Sequence, residues 1–394
     1  MNRLIITTAL LLLSFCVDAQ NFKLDNVNYK TITWTDFFKK LEKNPKLFYY
    51  DIRSDGERGD TGKNLAFNQG KIKGAIETDF GNFEKYYPEY LKHKNDTIYL
   101  YCSHSKRSRV LANQLADKGF ANVVNINGGL SYLNTLSEDE MPYKKKYYIN
   151  NLKYKFVNSK DFINAFNNEN YQIIDVRPDS LYSGTAKIER GNSFGNIKSV
   201  LHIPYDQLKN HLSLLDKNKS IYLFDNEGEQ SPIGANYLIE KGYDTSVLLF
   251  GLRNIIDANT STKRKFLKTR YQFLLPEELL KIKDQKNSVI IDIRNETEYN
   301  DTDKMPWKNI GRIKNAINIP FDMLSEDKVA KYRGKTVILY DMMMFDNDLF
   351  SYAKRLKEYG ITELYLIDGG MAKLNEEVYE FQKSELRSLI DQSN

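Results

Sequence analysis

The residues best suited to chemistry in this sequence lie in the run Cys102-Ser103-His104-Ser105-Lys106-Arg107-Ser108. It follows a short apolar stretch, Ile98-Tyr99-Leu100-Tyr101, and leads into an amphipathic one, Arg107 to Lys118. A loop between a strand's C-terminal end and a helix N-terminus turns backbone N–H groups inward and cradles negative charge. A thiolate placed there is stabilised, and Lys106 and Arg107 add two formal positive charges. The same cradle suits a cysteine persulfide or an anionic sulfur donor approaching it. Ser103, Ser105 and Ser108 either offer hydroxyls to that donor or act as plain helix caps. His104 is a candidate proton shuttle, although an exposed loop histidine fits it better. Cys102-x-His104, with four histidines scattered along the chain, does not make a metal site. No metal or organic cofactor is required.

Cys102 has one other cysteine for company, Cys16, within an N-terminal segment of different character. Arg3 precedes an apolar run from Leu4 to Val17, and Val17-Asp18-Ala19 supplies the small residues of a cleavage site, so residues 1–19 are expected to be a signal peptide. The run falls short of the roughly 20 residues that span a bilayer as a helix. Leu13-Ser14-Phe15-Cys16 is similar to a lipoprotein box, but bulky Phe15 stands where a small residue belongs, so lipid anchoring is the lesser reading. Export to the periplasm or beyond would leave Cys102 without a disulfide partner, either as a small buried hydrophobe or as a reactive group. No other segment is apolar enough to predict a membrane span. The 57 Lys and Arg against 52 Asp and Glu leave +5, interspersed and without a basic stripe, which argues against nucleic-acid binding.

The 394 residues call for two or three domains, and internal repetition decides for three. Each copy has an apolar strand ending in Asp-x-Arg: Asp51-Ile52-Arg53, Asp175-Val176-Arg177 and Asp292-Ile293-Arg294. A glycine-led strand follows at Gly70 to Ile76, Gly195 to Leu201 and Gly311 to Ile317. A third strand then runs into a loop and an amphipathic helix, and a last strand ends in glycine at Gly129, Gly251 and Gly370. From Asp51 to Cys102 is 51 positions, from Asp175 to Asp225 is 50, and from Asp292 to Asp341 is 49. Alternating strands and helices point to an α/β chain of three tandem domains, each a mostly parallel sheet flanked by helices. The predicted bounds are 28–136, 152–256 and 268–375, with a charged terminal helix over 376–394 and linkers at Ser137 to Lys146 and Asn259 to Lys268.

Because all three copies carry Asp-x-Arg, the pair Asp51 and Arg53 is read as structural, closing the strand end. The loops differ. The second copy reads Asp225-Asn226-Glu227-Gly228-Glu229-Gln230-Ser231 and the third Asp341-Met342-Met343-Met344-Phe345-Asp346-Asn347. Neither has a nucleophile, and their acids would repel anions. Asp225 and Asp341 can still accept inward N–H groups as a helix cap does. The Met342 to Phe345 run is better read as core filling than as a partner surface.

Three repeats of this kind resemble rhodanese domains over residues 28 to 375, and Cys102-x-x-x-x-Arg107-Ser108 is similar to that family's six-residue active loop. The segment Tyr182-Ser183-Gly184 through Arg190-Gly191 to Gly195-Asn196-Ile197 resembles the longer tandem-domain sulfurtransferases. Departures are Lys71, Asn196 and Arg312 where a histidine is usual, Ser105 where a loop glycine is frequent, and the reactive cysteine in the first domain instead of the last. The resemblance implies passage of sulfane sulfur from a small anionic donor such as thiosulfate, through a Cys102 persulfide, to a thiol or cyanide-like acceptor. Phosphatases on this fold have one more residue between cysteine and arginine. The alternatives are a binding scaffold with an idle Cys102, and a persulfide relay for a partner protein thiol; any protein partner is expected through the second and third domains.

Overall fold

The structure is a computed structural model that describes residues 29–58, 68–257, 266–282, 287–304, 308–343, 347–379, 381 and 383–391. The expected signal peptide and Cys16 lie outside these residues.

The first domain contains β1 (Lys30–Ile32), α1 (Trp34–Lys43), β2 (Phe48–Asp51), α2 (Asp55–Arg58), β3 (Lys71–Ile72), β4 (Ile76–Glu77), α3 (Phe83–Leu91), β5 (Thr97–Tyr101), α4 (Lys106–Asp117), β6 (Asn122–Ile126), α5 (Gly129–Thr135), α6 (Lys144–Tyr147) and β7 (Tyr148–Ile149). Thr33 caps α1 by accepting the Asp36 N–H, and Trp34, Phe37, Phe38 and Leu41 recur on one face at helical spacing and are buried. Five parallel strands are ordered β1-β6-β5-β2-β4. Alternation along β5 sends Tyr99 and Tyr101 into a cluster with Trp34, Phe37 and Phe38, and Ile98, Leu100 and Cys102 into one with Leu111 and Leu115 of α4.

The order repeats. In the second domain the sequence from edge to edge is Leu201–His202, Tyr171–Asp175, Ser220–Phe224, Thr245–Leu248 and Lys155–Val157. In the third it is Ile317–Asn318, Ser288–Asp292, Thr336–Tyr340, Leu364–Ile367 and Gln272–Leu274. One hydrophobic cluster runs through both, from Phe162, Phe224 and Leu248 to Phe273, Leu339 and Phe350. Among the described residues no helix is long and apolar enough to cross a membrane.

Three sequence expectations need correction. The glycine-led strand is two strands separated by a turn, with Gly74, Ser199 and Asn315 holding left-handed backbone at φ of 85°, 63° and 64°. Its second half joins the main sheet. Its first half pairs antiparallel with the segment that follows each domain: β3 with β7, Asn196–Ile197 with Leu267–Lys268, and Arg312–Ile313 with Ile390–Asp391. The charged segment after Glu376 is therefore no terminal helix. The helix Gly370–Tyr379 ends early, a short 3-10 turn, Ser384–Leu389, buries Leu386 and Leu389, and the described residues end in that antiparallel strand. Apolar residues spaced among charges had hidden the docking. Likewise Ser137 to Lys146 is packed down, with Met141 buried and Tyr143 stacked on Phe38. Residues 258–265 of the other linker lie outside the described part.

Candidate active site

Cys102 follows the central strand β5. After β2 the chain moves to one side, to β4, and after β5 to the other, to β6. Ligands of open parallel sheets bind beyond the strand ends where the order reverses in this way. Asp51 stands at the end of β2 on the same edge. Arg53 binds it with Nη2 to Oδ2 at 2.6 Å and Nε to Oδ1 at 2.9 Å, both side chains fully buried, and Arg53 Nη2 also donates to Gly70 O at 2.7 Å. Arg177 and Arg294 repeat this with Asp175 and Asp292, donating to Gly195 O and Gly311 O. The pair thus ties each strand end to the glycine-led turn.

The Cys102 loop is fixed from behind by α5. Leu130 N donates to Cys102 O at 3.0 Å and Ser131 N to Ser103 O at 2.8 Å. Gly129 lies so close to these carbonyls that a Cβ there would collide with both. Trp34 Nε1 donates to Gly129 O at 2.8 Å and so ties α1 to the same point.

Cys102 itself is 1% exposed and packs among Tyr50, Ile52 and Leu100 on its inner side. Its outer side is polar. Ser108 Oγ lies 3.6 Å from Sγ, 2.7 Å from Asn125 Oδ1 and 3.0 Å from Ser105 O, so a single hydroxyl hydrogen is shared among three acceptors. Asn125 Nδ2 donates to Ser105 Oγ at 2.9 Å. Ser105, Ser108 and Asn125 are all fully buried. Ser105 holds φ at 67°, which explains why glycine suits this position elsewhere. Its hydroxyl is therefore part of a network and makes no cap bond to α4.

The two expected cations differ in fate. Lys106 is exposed at the start of α4. Arg107 turns inward and forms a two-pronged ion pair with Glu57, both contacts 2.6 Å, while its Nη2 donates to Ser103 Oγ at 2.8 Å. The Glu57 hydrogen bond raises the Arg107 pKa against the effect of burial, with the nearby Cys102 contributing in the same sense. Burial would raise Glu57, but Arg107 and the amide and hydroxyl of Ser54 prevail and hold it below the usual carboxylate range. The cradle therefore carries one net charge fewer than the sequence suggested.

His104 is exposed as a residue. Desolvation of its ring, followed by the Arg107 and Arg253 guanidinium groups, pushes its pKa down to about 4. Solvent around an exposed residue moderates the desolvation, and the two cations secure the direction: the imidazole is neutral at pH 7 and adds no positive charge.

Glu57 and Asn125 were missed from the sequence, yet the repeats held signals for both. Glu298 stands six residues after Asp292 as Glu57 does after Asp51, whereas the second copy has Leu181. Asn125 pairs with Leu100 where Val247 pairs with Leu223 and Leu366 with Leu339, so a buried amide replaces an aliphatic residue only beside the cysteine.

The other loops show what the same backbone does with an acid. Asp225 accepts the N–H groups of Glu227 at 2.8 Å, Gln230 at 2.5 Å and Ser231 at 2.7 Å, and that of Gly228. Asp341 accepts the Met343 N–H at 2.6 Å. Met342 packs against the third domain's core, while Met344 to Asp346 lie outside the described residues. Burial, with Glu229 and Asp225 nearby, raises Glu227 despite Arg190 and Arg253.

The first domain's loop faces the second domain, with the His104 and Phe250 ring centroids 5.8 Å apart. The third domain approaches its flank, where Tyr132 and Phe381 lie 5.0 Å apart. A cleft of about 490 Å³ opens elsewhere, between the second and third domains, near Lys187, Arg270 and Lys354. Among the described residues no cluster of His, Cys, Asp or Glu has the arrangement of a metal site.

The family model of the Rhodanese-like domain matches residues 34–134, 158–257 and 275–377. An uncharacterized protein of Buchnera aphidicola subsp. Schizaphis graminum is 26% identical over 117 residues, 30% of this chain and 72% of that protein. A thiosulfate sulfurtransferase structure from Pseudomonas aeruginosa is 13% identical with a TM-score of 0.22, covering 87% of this chain; the chain spans 64% of its length. EanB in complex with hercynine is 16% identical with a TM-score of 0.28, covering 87% of this chain and 95% of that one. The family assignment rests on the three domain matches alone.

Proposed function

This chain belongs to the rhodanese-like domain family, and from that premise we propose that it is a sulfurtransferase working through Cys102 in its first domain. The observation that carries the reading is the second domain's loop, whose amides enclose the Asp225 carboxylate. Ser105 and Gly228 share left-handed backbone at φ of 67° and 81°, and Leu130 and Leu252 donate to the carbonyls of Cys102 and Asp225 alike. By that correspondence we assign the amides of His104, Ser105, Arg107 and Ser108 to meet an anionic sulfur on Cys102 in the place of the carboxylate.

The Cys102 thiolate attacks the outer sulfur of thiosulfate; a new S–S bond forms, the old one breaks and sulfite departs with its electron pair. The persulfide then gives its outer sulfur to cyanide or a thiolate, releasing thiocyanate or a new persulfide and restoring the thiolate. Ser108 turns its hydroxyl hydrogen from Asn125 toward the anion, and Arg107 stays oriented by Glu57. We place this activity outside the cytoplasm, on the residues of the N-terminal segment.

The burial of Cys102 favours a second reading, a binding scaffold with an idle thiol. Thiosulfate consumption in the presence of cyanide separates the two: the first requires turnover that Cys102→Ala abolishes, and the second requires equal rates for both proteins.

A further inference from the structure

Among the described residues, five that are not glycine hold left-handed backbone: Ser105, Ser199, Phe250, Asp301 and Asn315. Four are small and polar. Phe250, at φ 57°, is bulky and gains nothing from the conformation. It stands where the first and third domains have Gly128 and Gly369, at φ of 69° and 70°, so the chain builds the same turn twice without strain. Such an outlier persists when its surroundings over-determine it, and it points toward function.

The turn is held firmly. Asn254 Nδ2 donates to Leu249 O at 2.8 Å, and Gly228 packs against it so closely that a Cβ there would lie 3.3 Å from Phe250 N and Cα. The half-buried ring leaves its own domain and lies 5.8 Å from the His104 imidazole at a 42° tilt, beside the one loop of the three that carries a cysteine. Arg253, on the helix that follows, acts electrostatically on the same histidine. A reactant bound for Cys102 must pass the outer residues of its loop, because Cys102 is 1% exposed.

We propose that Phe250 is a specificity-determining residue that the cysteine-less second domain lends to the first: paired with His104, it narrows the mouth of the Cys102 loop, admitting slim anions and excluding bulky thiols. The inference rests on the sulfurtransferase reading for its substrates. Arg253 acts on both His104 and the Glu227 carboxylate, and the neutral rings of Phe250 and His104 limit the width of the mouth. The position accounts for keeping a second domain that has lost its own nucleophile.

The test compares full-length protein with Phe250→Gly, which suits the turn and removes the wall, and Phe250→Leu, which keeps much of the bulk. Ile233→Ala, an exposed change on the helix Ser231–Glu240, serves as control. Each is labelled at Cys102 with iodoacetamide and with fluorescein maleimide, the site being verified by peptide mapping. The rate ratio of large to small reagent should rise about tenfold in Phe250→Gly, less in Phe250→Leu and not in the control. An unchanged ratio in Phe250→Gly overturns the proposal. Transfer of persulfide sulfur to glutathione relative to cyanide should rise in parallel, and a constant preference would equally count against it. Absence of any persulfide in the parent protein would remove the sulfurtransferase reading, while the labelling ratio would still decide whether Phe250 is a wall.

Discussion

Asp225 holds in the second domain the place that Cys102 holds in the first, and its carboxylate is a resident anion enclosed by the amides of residues 227, 228, 230 and 231. The preference for negative charge belongs to the backbone of this loop. Asp225→Ala would leave those amides without their anion and should destabilise the protein by about 2 kcal/mol in chemical denaturation, with Asp225→Asn costing less. Unchanged stability in the alanine variant would mean that the loop is not selective for an anion.

Glu57 and Arg107 join α2 to the Cys102 loop through a partly buried pair, with side chains 13% and 31% exposed. Glu57→Gln should cost about 1 kcal/mol and lower sulfur turnover about tenfold, because the loop loses its orientation. Arg107→Lys should not substitute, since an ammonium makes no two-pronged contact. Glu57 is held below its ordinary value, so its contribution is present above about pH 4.5 and declines only as pH falls through the lower folded value. Loss of the pair's contribution between pH 7 and 5 would contradict this placement.

Asn125→Leu gives the first domain the kind of side chain that Val247 and Leu366 supply in the others. Ser105 and Ser108 then lose a buried partner, which should cost about 1–2 kcal/mol. Turnover should fall much further than stability alone explains, about tenfold or more, because Ser108 is no longer held beside Sγ. Equal turnover in a folded variant would confine the network to packing.

His104 should titrate below the ordinary 6.5, in the direction that desolvation and the Arg107 and Arg253 cations set, in an NMR pH series in which only four histidines need assignment. A folded value lowered in this way gives stability that is present above 6.5 and lost as pH falls toward 4. Solvent around the exposed residue keeps that slope shallow, and His104→Gln should flatten it. A midpoint close to 6.5 would mean that Arg107 and Arg253 do not act on the ring.

The three domains and the Cys102 loop were legible because their signals are local and recur at nearly fixed intervals. Asp51-x-Arg53 was visible as a repeated pair for the same reason. The split of Gly70 to Ile76 into two strands was hidden, since Lys73-Gly74 continues the apolar alternation and only the left-handed turn breaks it. Docking of Ile390–Asp391 on Arg312–Ile313 joins segments far apart in sequence and carries no composition signal of its own. Glu57 escaped notice because its partner Arg107 is 50 residues away, and Phe250 because backbone strain cannot be seen in a residue type.

Sulfur bound covalently to Cys102 is the most direct evidence to seek. Purified protein treated with thiosulfate, digested and weighed by mass spectrometry should show one added sulfur atom on the Cys102 peptide, removed by cyanide and absent from Cys102→Ala. An unmodified Cys102 peptide after thiosulfate treatment at neutral pH would contradict the account.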